Sequence, residues 1–359
     1  MKLTEIKFLK KLIKDKIVFA SIITLVLMYI FVAFAGFFAA YSKYFSDRNL
    51  SYSPPSKIYI INQEGRISFP YTYNYERRFN AETFRMDYIP DRSQKYFLKF
   101  FSKGDEYKLF GLIPANIHLV KVDEPGRLFL LGTDINGRDV FSRLFYGGQI
   151  SLTIGFLALL ISFPIGLLYG GISGYFGGKT DAVMMRIAEA IMSIPGFFLL
   201  ITLAAILPAN MTSVQRFTLI TTILAFIGWA GFSRVVRGMV LSIKTKEFIE
   251  ASRAVGASSL RIITRHILPQ TASYVIIAMT LSVPGYILAE SGLSFLGLGI
   301  QQPDASWGNM LKEAQEYVNV LYRPWLLTPG FLIFIAVLAF NLVGDAVRDV
   351  LDPKSRVRN

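Results

Sequence analysis

The stretch IVFASIITLVLMYIFVAFAGFFAAY, residues 17–41, contains no charged side chain and decides the class of fold. A helix needs about 20 predominantly apolar residues to cross the roughly 30 Å hydrocarbon layer of a bilayer. This stretch is long enough, and it lacks the short apolar core and small-residue cleavage pattern of a signal peptide. It therefore predicts a membrane anchor that stays in the mature protein.

Five further apolar segments follow in the chain. Because backbone polar groups find no water in hydrocarbon, each segment should be a helix. They lie at residues 150–170, 187–207, 217–236, 272–298 and 325–343. The predicted fold is an all-α polytopic membrane protein with six spans, and Pro164, Pro195 and Pro284 should bend three of them.

The basic residues beside the spans predict the orientation of the chain. Lys and Arg accumulate before the first span, after the fourth and after the sixth, whereas the segment after the third span offers only Arg216. Since cytoplasmic loops carry the excess of Lys and Arg, both termini and the loop after the fourth span should be cytoplasmic. The three clusters are Lys2, Lys7, Lys10, Lys11, Lys14 and Lys16; Arg234, Arg237, Lys244, Lys246, Arg253, Arg261 and Arg265; and Arg348, Lys354, Arg356 and Arg358.

The composition argues against several functional classes. The net charge of +13 is explained by these membrane-proximal clusters, and no nucleic-acid recognition motif accompanies it, so no nucleic-acid partner is expected. The chain has no cysteine and only two histidines, His118 and His266, which argues against disulfides and against a metal centre. An enzyme is the least favoured class, because no set of catalytic residues can be assembled.

Two short motifs imitate enzymes. GGKT, residues 177–180, resembles the end of a phosphate-binding loop, but Ser173 stands where that loop needs a glycine. GISG, residues 171–174, resembles an intramembrane protease motif, yet no base is expected at the depth of Ser173. We interpret its small residues as permitting close helix approach.

Residues 42–130 are expected to form a β-rich external domain between the first two spans. SKIYIINQEGRISFPYTYNYE, residues 56–76, predicts a strand, a turn and a second strand with alternating tyrosines. NIHLVKVDEPGRLFLLG, residues 116–132, repeats this pattern around Pro125 and Gly126. The domain is either a structural cap or a contact for a ligand-delivering protein or the substrate. The remaining segments are a basic N-terminus (1–16), the first span (17–41), a core with the other spans (131–350) and a tail (351–359).

The polar stretch EASRAVGASSLRIITRHILPQ, residues 250–270, separates two apolar spans. Its first residues favour a helix, and Gly256 can adopt the left-handed conformation that ends one. Ser258 or Ser259 offers an N-cap for a second helix, which Pro269 should stop. The stretch therefore predicts a helix–turn–helix elbow on the inner membrane face.

This elbow resembles the EAA loop of binding-protein-dependent ABC importers, in which Glu-Ala-Ala is followed by a glycine and later by Leu-Pro. Glu250, Ala251, Gly256, Leu268 and Pro269 match that pattern, whereas Ser252 and His266 depart from it mildly. Three further segments resemble C-type permeases of oligopeptide and dipeptide importers, whose relatives also import nickel or oligosaccharides. They are LLGTDINGRDVFSRLFYGGQISLTIG (130–155), ESGLSFLGLGIQQPDASWGNML (290–311) and GDAVRDVLDPKSR (344–356).

The resemblance implies a non-catalytic permease subunit in a bacterial or archaeal cytoplasmic membrane. Its loop 240–270 would couple to ATPases through Glu250, Ala251, Ser252, Arg253, Ala254, Gly256, Leu268 and Pro269. The implied partners are a second homologous permease, two cytoplasmic ATPases, an external solute-binding protein and membrane lipid. The chain would bind no cofactor, since the partner subunits hydrolyse ATP. The alternative is a secondary carrier or channel that works without ATPases.

Overall fold

A computed structural model describes residues 15–62, 65–82, 84–208 and 210–351. The basic residues Lys2, Lys7, Lys10, Lys11, Lys14, Lys354, Arg356 and Arg358 lie outside the described residues. The described chain is mostly helical, with a strand-rich segment after the first helix. The expectation of a helical protein with a β-rich insertion is therefore confirmed.

The helices are numbered in chain order. They are α1 (Lys16–Ala33), α2 (Ala35–Phe38), α3 (Val140–Phe176), α4 (Gly178–Met192), α5 (Gly196–Ala205), α6 (Ser213–Ile243), α7 (Glu247–Ala254), α8 (Ser259–Arg261), α9 (Ala272–Phe295), α10 (Trp307–Leu311), α11 (Tyr317–Tyr322) and α12 (Thr328–Leu351). Short 3₁₀ or π segments adjoin several of them, and one such stretch joins α8 to α9 without a break.

Five helices in the described part of the chain are long and apolar enough to cross a membrane. The number rises to six if the bent pair α4 and α5 counts as one span. The uninterrupted helices α3 and α6 are 37 and 31 residues long, so they extend beyond the apolar runs seen in the sequence. The structure thus supports five or six spans rather than a fixed count of six.

The third predicted span, 187–207, is not one straight helix. The chain bends by 75° between α4 and α5, and Pro195 occupies the N-cap position of α5. A proline lacks the N–H needed inside a helix, which explains a break at this position. Pro164 and Pro284, by contrast, lie inside α3 and α9, and both helices continue past them.

The described residues divide into two compact units. The first contains Leu152–Leu293 with the described parts of Met1–Leu25 and Phe334–Asn359, and the second contains Val26–Ser151 and Ser294–Ile333. The first unit holds most of the span-forming helices and the polar elbow. The second holds the strands and the ends of several helices.

A ladder of glycines on α3 allows very close packing against α6 in the first unit. Added Cβ atoms on Gly166, Gly170 and Gly174 would lie 2.9, 2.3 and 2.8 Å from the carbonyl oxygens of Trp229, Ser233 and Arg237. These glycines are four residues apart, so they lie on one face of the helix. The close approach expected from the GISG motif is therefore confirmed. Small residues that let helix backbones touch are typical of membrane helix pairs.

The strands of the second unit form three small antiparallel sheets. The strands are β1 (Tyr59–Ile61), β2 (Ile67–Thr72), β3 (Tyr75–Asn80), β4 (Arg85–Pro90), β5 (Tyr96–Phe97), β6 (Lys99–Leu109) and β7 (Ile113–Lys121). The first sheet has the order β1–β2–β5, and the other two are the hairpins β3–β4 and β6–β7. The predicted strand–turn–strand of residues 56–76 is confirmed as β1 and β2, and Tyr71 and Tyr73 are buried.

The second predicted strand–turn–strand, within residues 116–132, is wrong in its second half. Only β7 forms, and its partner is the preceding strand β6. Leu128 and Phe129 lie in a buried, irregular segment instead. Side-chain oxygens replace a neighbouring strand there, because the Leu128 N–H donates to the Tyr41 hydroxyl (2.8 Å) and the Phe129 N–H to the Ser56 hydroxyl (2.9 Å).

Candidate functional site

The polar elbow begins with α7, an eight-residue helix that Ile249 fixes to the first unit. Ile249 is fully buried, whereas most of its neighbours in this helix are exposed. Glu247 and Glu250 lie in the first turn and Arg253 in the last, which complements the helix dipole. A helix this short is marginal in isolation, so the Ile249 anchor and these charges hold it in place.

Gly256 ends α7 in a Schellman motif. The Gly256 N–H donates to the Arg253 carbonyl (2.9 Å), and the Ala257 N–H donates to the Ser252 carbonyl (3.1 Å). Gly256 has a φ of 81°, the left-handed region that glycine adopts at little cost. The predicted break between two helices is therefore present at the predicted residue.

The second half of the elbow differs from the prediction. Ser258 occupies the N-cap position of α8, but its side chain makes no capping hydrogen bond. Pro269 does not stop the helix. The chain passes through a π segment, Ile262–Ile267, and a 3₁₀ segment, Leu268–Thr271, into α9. Pro269 occupies one of the first two positions of the 3₁₀ segment, and proline is tolerated best at such a position.

One face of this π and 3₁₀ stretch is buried against α3. Ile262, Ile263 and Ile267 are almost completely buried, as is most of Leu268. A Cβ on Gly171 would lie 3.1 Å from Ile263 and 3.2 Å from Leu268. The elbow is thus in direct contact with a long membrane helix.

Two basic side chains, Arg253 on the elbow and Lys244 just before it, contact the end of α3. Lys244 donates to the Gly174 carbonyl at 2.8 Å. Arg253 donates to the Tyr175 hydroxyl at 3.3 Å, and its guanidinium carbon lies 5.0 Å from the centre of that ring. Arg253, expected to face a partner, therefore also has a contact within this chain.

The opposite side of the elbow is an exposed surface, which we call the outer ridge. It comprises Glu247, Glu250, Ala251, Ala254 and Val255. Val255 is 87% exposed at its tip. The spacing of the first four residues places them along one face of α7. Of the eight predicted site residues, three lie on this ridge, while Leu268 is buried and Ser252 bonds back to the Phe248 carbonyl at 2.7 Å.

A second polar cluster, which the sequence did not reveal, lies in the second unit. We call Asp134, Arg138, Arg143, Gln302 and Glu313 the arginine cluster. Arg138 donates to Asp134 at 2.6 Å and also bonds the Gln302 side chain. Arg143 donates to Gln302 at 3.0 Å and to the Pro303 carbonyl at 3.1 Å. Glu313 accepts from the Ile135 N–H at 3.0 Å. The cluster joins the start of α3 to the loop after α9.

Two largely buried carboxyl groups, Glu313 in this cluster and Asp139 next to Arg138 in the chain, should make the stability of the fold depend on pH. Burial raises the pKa of Asp139 to about 7 and that of Glu313 to about 7. Unfolded carboxyls titrate near pH 4, so between roughly pH 4 and 7 the folded chain binds more protons. Stability should therefore fall as the pH rises through this window and level off above it. Melting of the detergent-purified protein at pH 5, 6, 7 and 8 measures the decline.

The matched variant is Asp139→Asn. The Asp139 Oδ1 has no hydrogen-bond partner among the described residues, while Oδ2 accepts from the Ser142 N–H at 2.8 Å. Asparagine can keep that acceptor but does not ionise. The stability of the Asp139→Asn variant should therefore decline less between pH 5 and 7 than that of the unmodified protein. An identical pH profile for both proteins would contradict the assignment.

The first unit also contains an open groove of about 370 Å³ between α5, α6 and α9. Its lining carries no charged side chain. Tyr286, at one wall, hydrogen-bonds to Ser162 at 2.8 Å, and its hydroxyl approaches Gly228 closely. The lining residues are Gly196, Phe197, Leu200, Leu224, Ile227, Gly228, Ser282, Gly285, Tyr286 and Ala289. Such a surface can contact an uncharged solute, or the uncharged part of a larger one.

Comparison with known proteins places this arrangement in a family. The profile "Binding-protein-dependent transport system inner membrane component" matches residues 146–357, which include the elbow. The chain belongs to this family. A second profile, "N-terminal TM domain of oligopeptide transport permease C", matches residues 7–55 of the permease. The resemblance inferred from the elbow and its flanking segments is therefore confirmed.

Curated relatives agree with this assignment. The permease is 45% identical over 227 residues to the dipeptide transport system permease protein DppC of Bacillus subtilis, a match that covers 63% of this chain and 68% of the relative. It is 45% identical over 226 residues to the oligopeptide transport system permease protein OppC of Haemophilus influenzae, covering 63% and 70%. Among solved structures, the inward-facing MetNI methionine ABC transporter matches at 21% identity and a TM-score of 0.42, covering 58% of this chain and 94% of that one. As a family member, the permease is a transport component rather than a catalyst.

Proposed function

We propose that this permease forms, with a second homologous permease, the membrane path of an ATP-driven importer for oligopeptides or dipeptides. Two cytoplasmic ATPases would supply the energy, and an external solute-binding protein would deliver the solute. The peptide substrate rests on the names of the two relatives that are 45% identical. The permease itself would bind no cofactor, and both of its termini would lie in the cytoplasm of a bacterium or archaeon.

The observation that carries the proposal is the geometry of the elbow. A ridge of small and acidic side chains stands exposed on α7, while the residues that follow it pack against α3 and continue into α9. A partner that moves the ridge would therefore move two membrane helices with it. Alanines at Ala251 and Ala254 leave room for close approach of an ATPase groove, and Glu250 supplies a charge for it.

The decisive variants are Glu250→Lys and Gly256→Val. Glu250 is exposed, so reversing its charge should spare folding while repelling the ATPase. Valine is strained at the φ of 81° that Gly256 adopts, so it should tilt α7 away from its docking angle. In vesicles containing the reconstituted importer, both variants should insert normally but lose ATP-dependent peptide uptake. Uptake and ATP hydrolysis are measured on the same preparation.

Glu82→Lys is the matched control, since it reverses an exposed acidic residue in the β3–β4 turn and should transport normally. A photo-crosslinker at Val255 should capture an ATPase subunit. Normal uptake by both elbow variants would refute the coupling role. Uptake that persists without ATP would instead support a secondary carrier.

A further inference from the structure

The tip of the β6–β7 hairpin has an unusual composition for a turn in an external domain. Its residues LFGLIP, 109–114, are all apolar or glycine, and no Asp, Glu, Lys or Arg occurs from Leu109 to Val120. Phe110, Leu112 and Ile113 are 61%, 82% and 57% exposed. Turns that face water are usually rich in Asn, Asp, Ser, Gly and Pro. A contiguous exposed apolar tip indicates that something other than water covers it.

The hairpin packs alongside the chain at the end of the first membrane helix. His118 Nδ1 lies 2.6 Å from the Ala39 carbonyl oxygen. Nearer the tip, the Tyr107 ring lies directly on Gly36, where a Cβ would come within 2.2 Å of it. At the tip, the rings of Phe110 and Phe34 are 5.6 Å apart. Contacts therefore proceed from Ala39 back to Phe34 as the hairpin approaches its turn, so the tip points towards α1.

The contact with Phe34 gives the depth of the tip. About 20 helical residues cross the hydrocarbon layer, so a span that enters at Ile17 leaves near Gly36. Phe34 falls inside that boundary, and Phe110 is level with it. The apolar window of α1 is only 17% buried within this chain. The exposed tip is therefore continuous with a helix surface that this chain leaves uncovered within the thickness of the bilayer.

The charges and hydrogen bonds of the hairpin fit a shallow insertion. The charged residue nearest the tip is Lys108 on β6, followed by Glu106 and Asp105, while β7 carries no Asp, Glu, Lys or Arg before Lys121 at the base of the hairpin. Lysines at a membrane boundary extend their amino groups into the head-group layer. Within the turn, the Gly111 N–H donates to the Lys108 carbonyl (3.3 Å) and the Leu112 N–H to the Leu109 carbonyl (3.0 Å). These donors need no water, as hydrocarbon requires.

We propose that the β6–β7 hairpin inserts its tip, Leu109–Pro114, into the lipid bilayer beside α1, where acyl chains cover Phe110, Leu112 and Ile113. The insertion and the hairpin's contacts with α2 hold this part of the external domain at the membrane surface. The position of the hairpin depends neither on the transported solute nor on ATP coupling.

The test uses the absence of cysteine from the chain. Leu112→Cys gives a single site for an environment-sensitive fluorophore, and Phe110→Cys gives a second site at the same tip. Ile67→Cys is the control, because Ile67 is 91% exposed on β2. Each variant of the full chain, with its co-purifying subunits, is placed in phosphatidylcholine–phosphatidylglycerol nanodiscs. Some of the lipids carry a quenching spin label near the head-group end of the acyl chain.

The probes at Leu112 and Phe110 should emit at shorter wavelength, lose most of their emission to the spin-labelled lipid and resist quenching by aqueous iodide. The probe at Ile67 should show the reverse pattern. If both tip probes are quenched by iodide as strongly as the Ile67 probe, the tip lies in water. If they emit at short wavelength but ignore the spin-labelled lipid, another protein subunit covers the tip. Either result would overturn the proposal.

Discussion

Gly170→Val should prevent the first unit from packing, and we expect little or no monodisperse protein. A Cβ at position 170 would lie 2.3 Å from the Ser233 carbonyl oxygen and 2.9 Å from the Val236 Cβ. Neither atom can rotate away as the end of a long side chain could. The helices α3 and α6 would therefore have to separate. We expect a cost at or above the top of the roughly 1–3 kcal/mol range typical of overpacked cores.

The measurement is thermal melting of the detergent-purified protein, together with its elution profile on size exclusion. Gly238→Val on α6 is the matched control, because Gly238 is exposed and a Cβ there meets nothing within 4 Å. That variant should melt close to the unmodified protein. Gly170→Ala should fall between the two, since alanine adds the clashing Cβ but no further atoms. A Gly170→Val protein with an unchanged melting temperature would show that α3 and α6 are not in contact.

The sequence predicts this contact only in part. The small residues of GISG indicate close helix approach, but their partners on α6 follow GISG by about 60 residues, and no local pattern reveals them. The spans themselves were predictable because hydrophobic length is a local property of the chain. The break at Pro195 was expected only as a bend. Pro164 and Pro284 carry the same local signal without breaking their helices, so the surrounding packing decides the outcome.

The elbow shows the same division between local and long-range information. The turn at Gly256 depends on one residue's backbone freedom, so the sequence locates it correctly. The helix continues through Pro269 because the π segment before it has buried isoleucines, one of which contacts α3. The proline alone would predict that the helix ends there. The sequence pattern predicted that β7 pairs with the residues after it, 127–132. The structure pairs β7 with the strand before it, β6. The arginine cluster was missed because Arg143 and Gln302 are 159 positions apart.

Arg143→Ala should strongly destabilise the second unit, by about 3–5 kcal/mol, the cost typical of breaking a buried charged pair. Arg143 is only 3% exposed, and Asp134 lies 3.7 Å from its guanidinium. Without Arg143, the Gln302 side-chain oxygen loses one of its donors, and the Pro303 carbonyl loses its hydrogen bond from the guanidinium. The start of α3 would then be less firmly joined to the loop after α9. Melting temperature and resistance to proteolysis between residues 296 and 312 measure the loss.

Arg186→Ala is the control that separates burial from charge. Arg186 also pairs with a carboxylate, Glu189 at 3.3 Å, but it is 84% exposed. Exposed pairs contribute about 0–1 kcal/mol, so this variant should melt almost normally. The double variant Arg143→Ala/Gln302→Ala should lose less stability than the two single losses added together, because each substitution removes the same hydrogen bond. Fully additive losses would mean that Arg143 stabilises the second unit through its aliphatic packing rather than through the cluster.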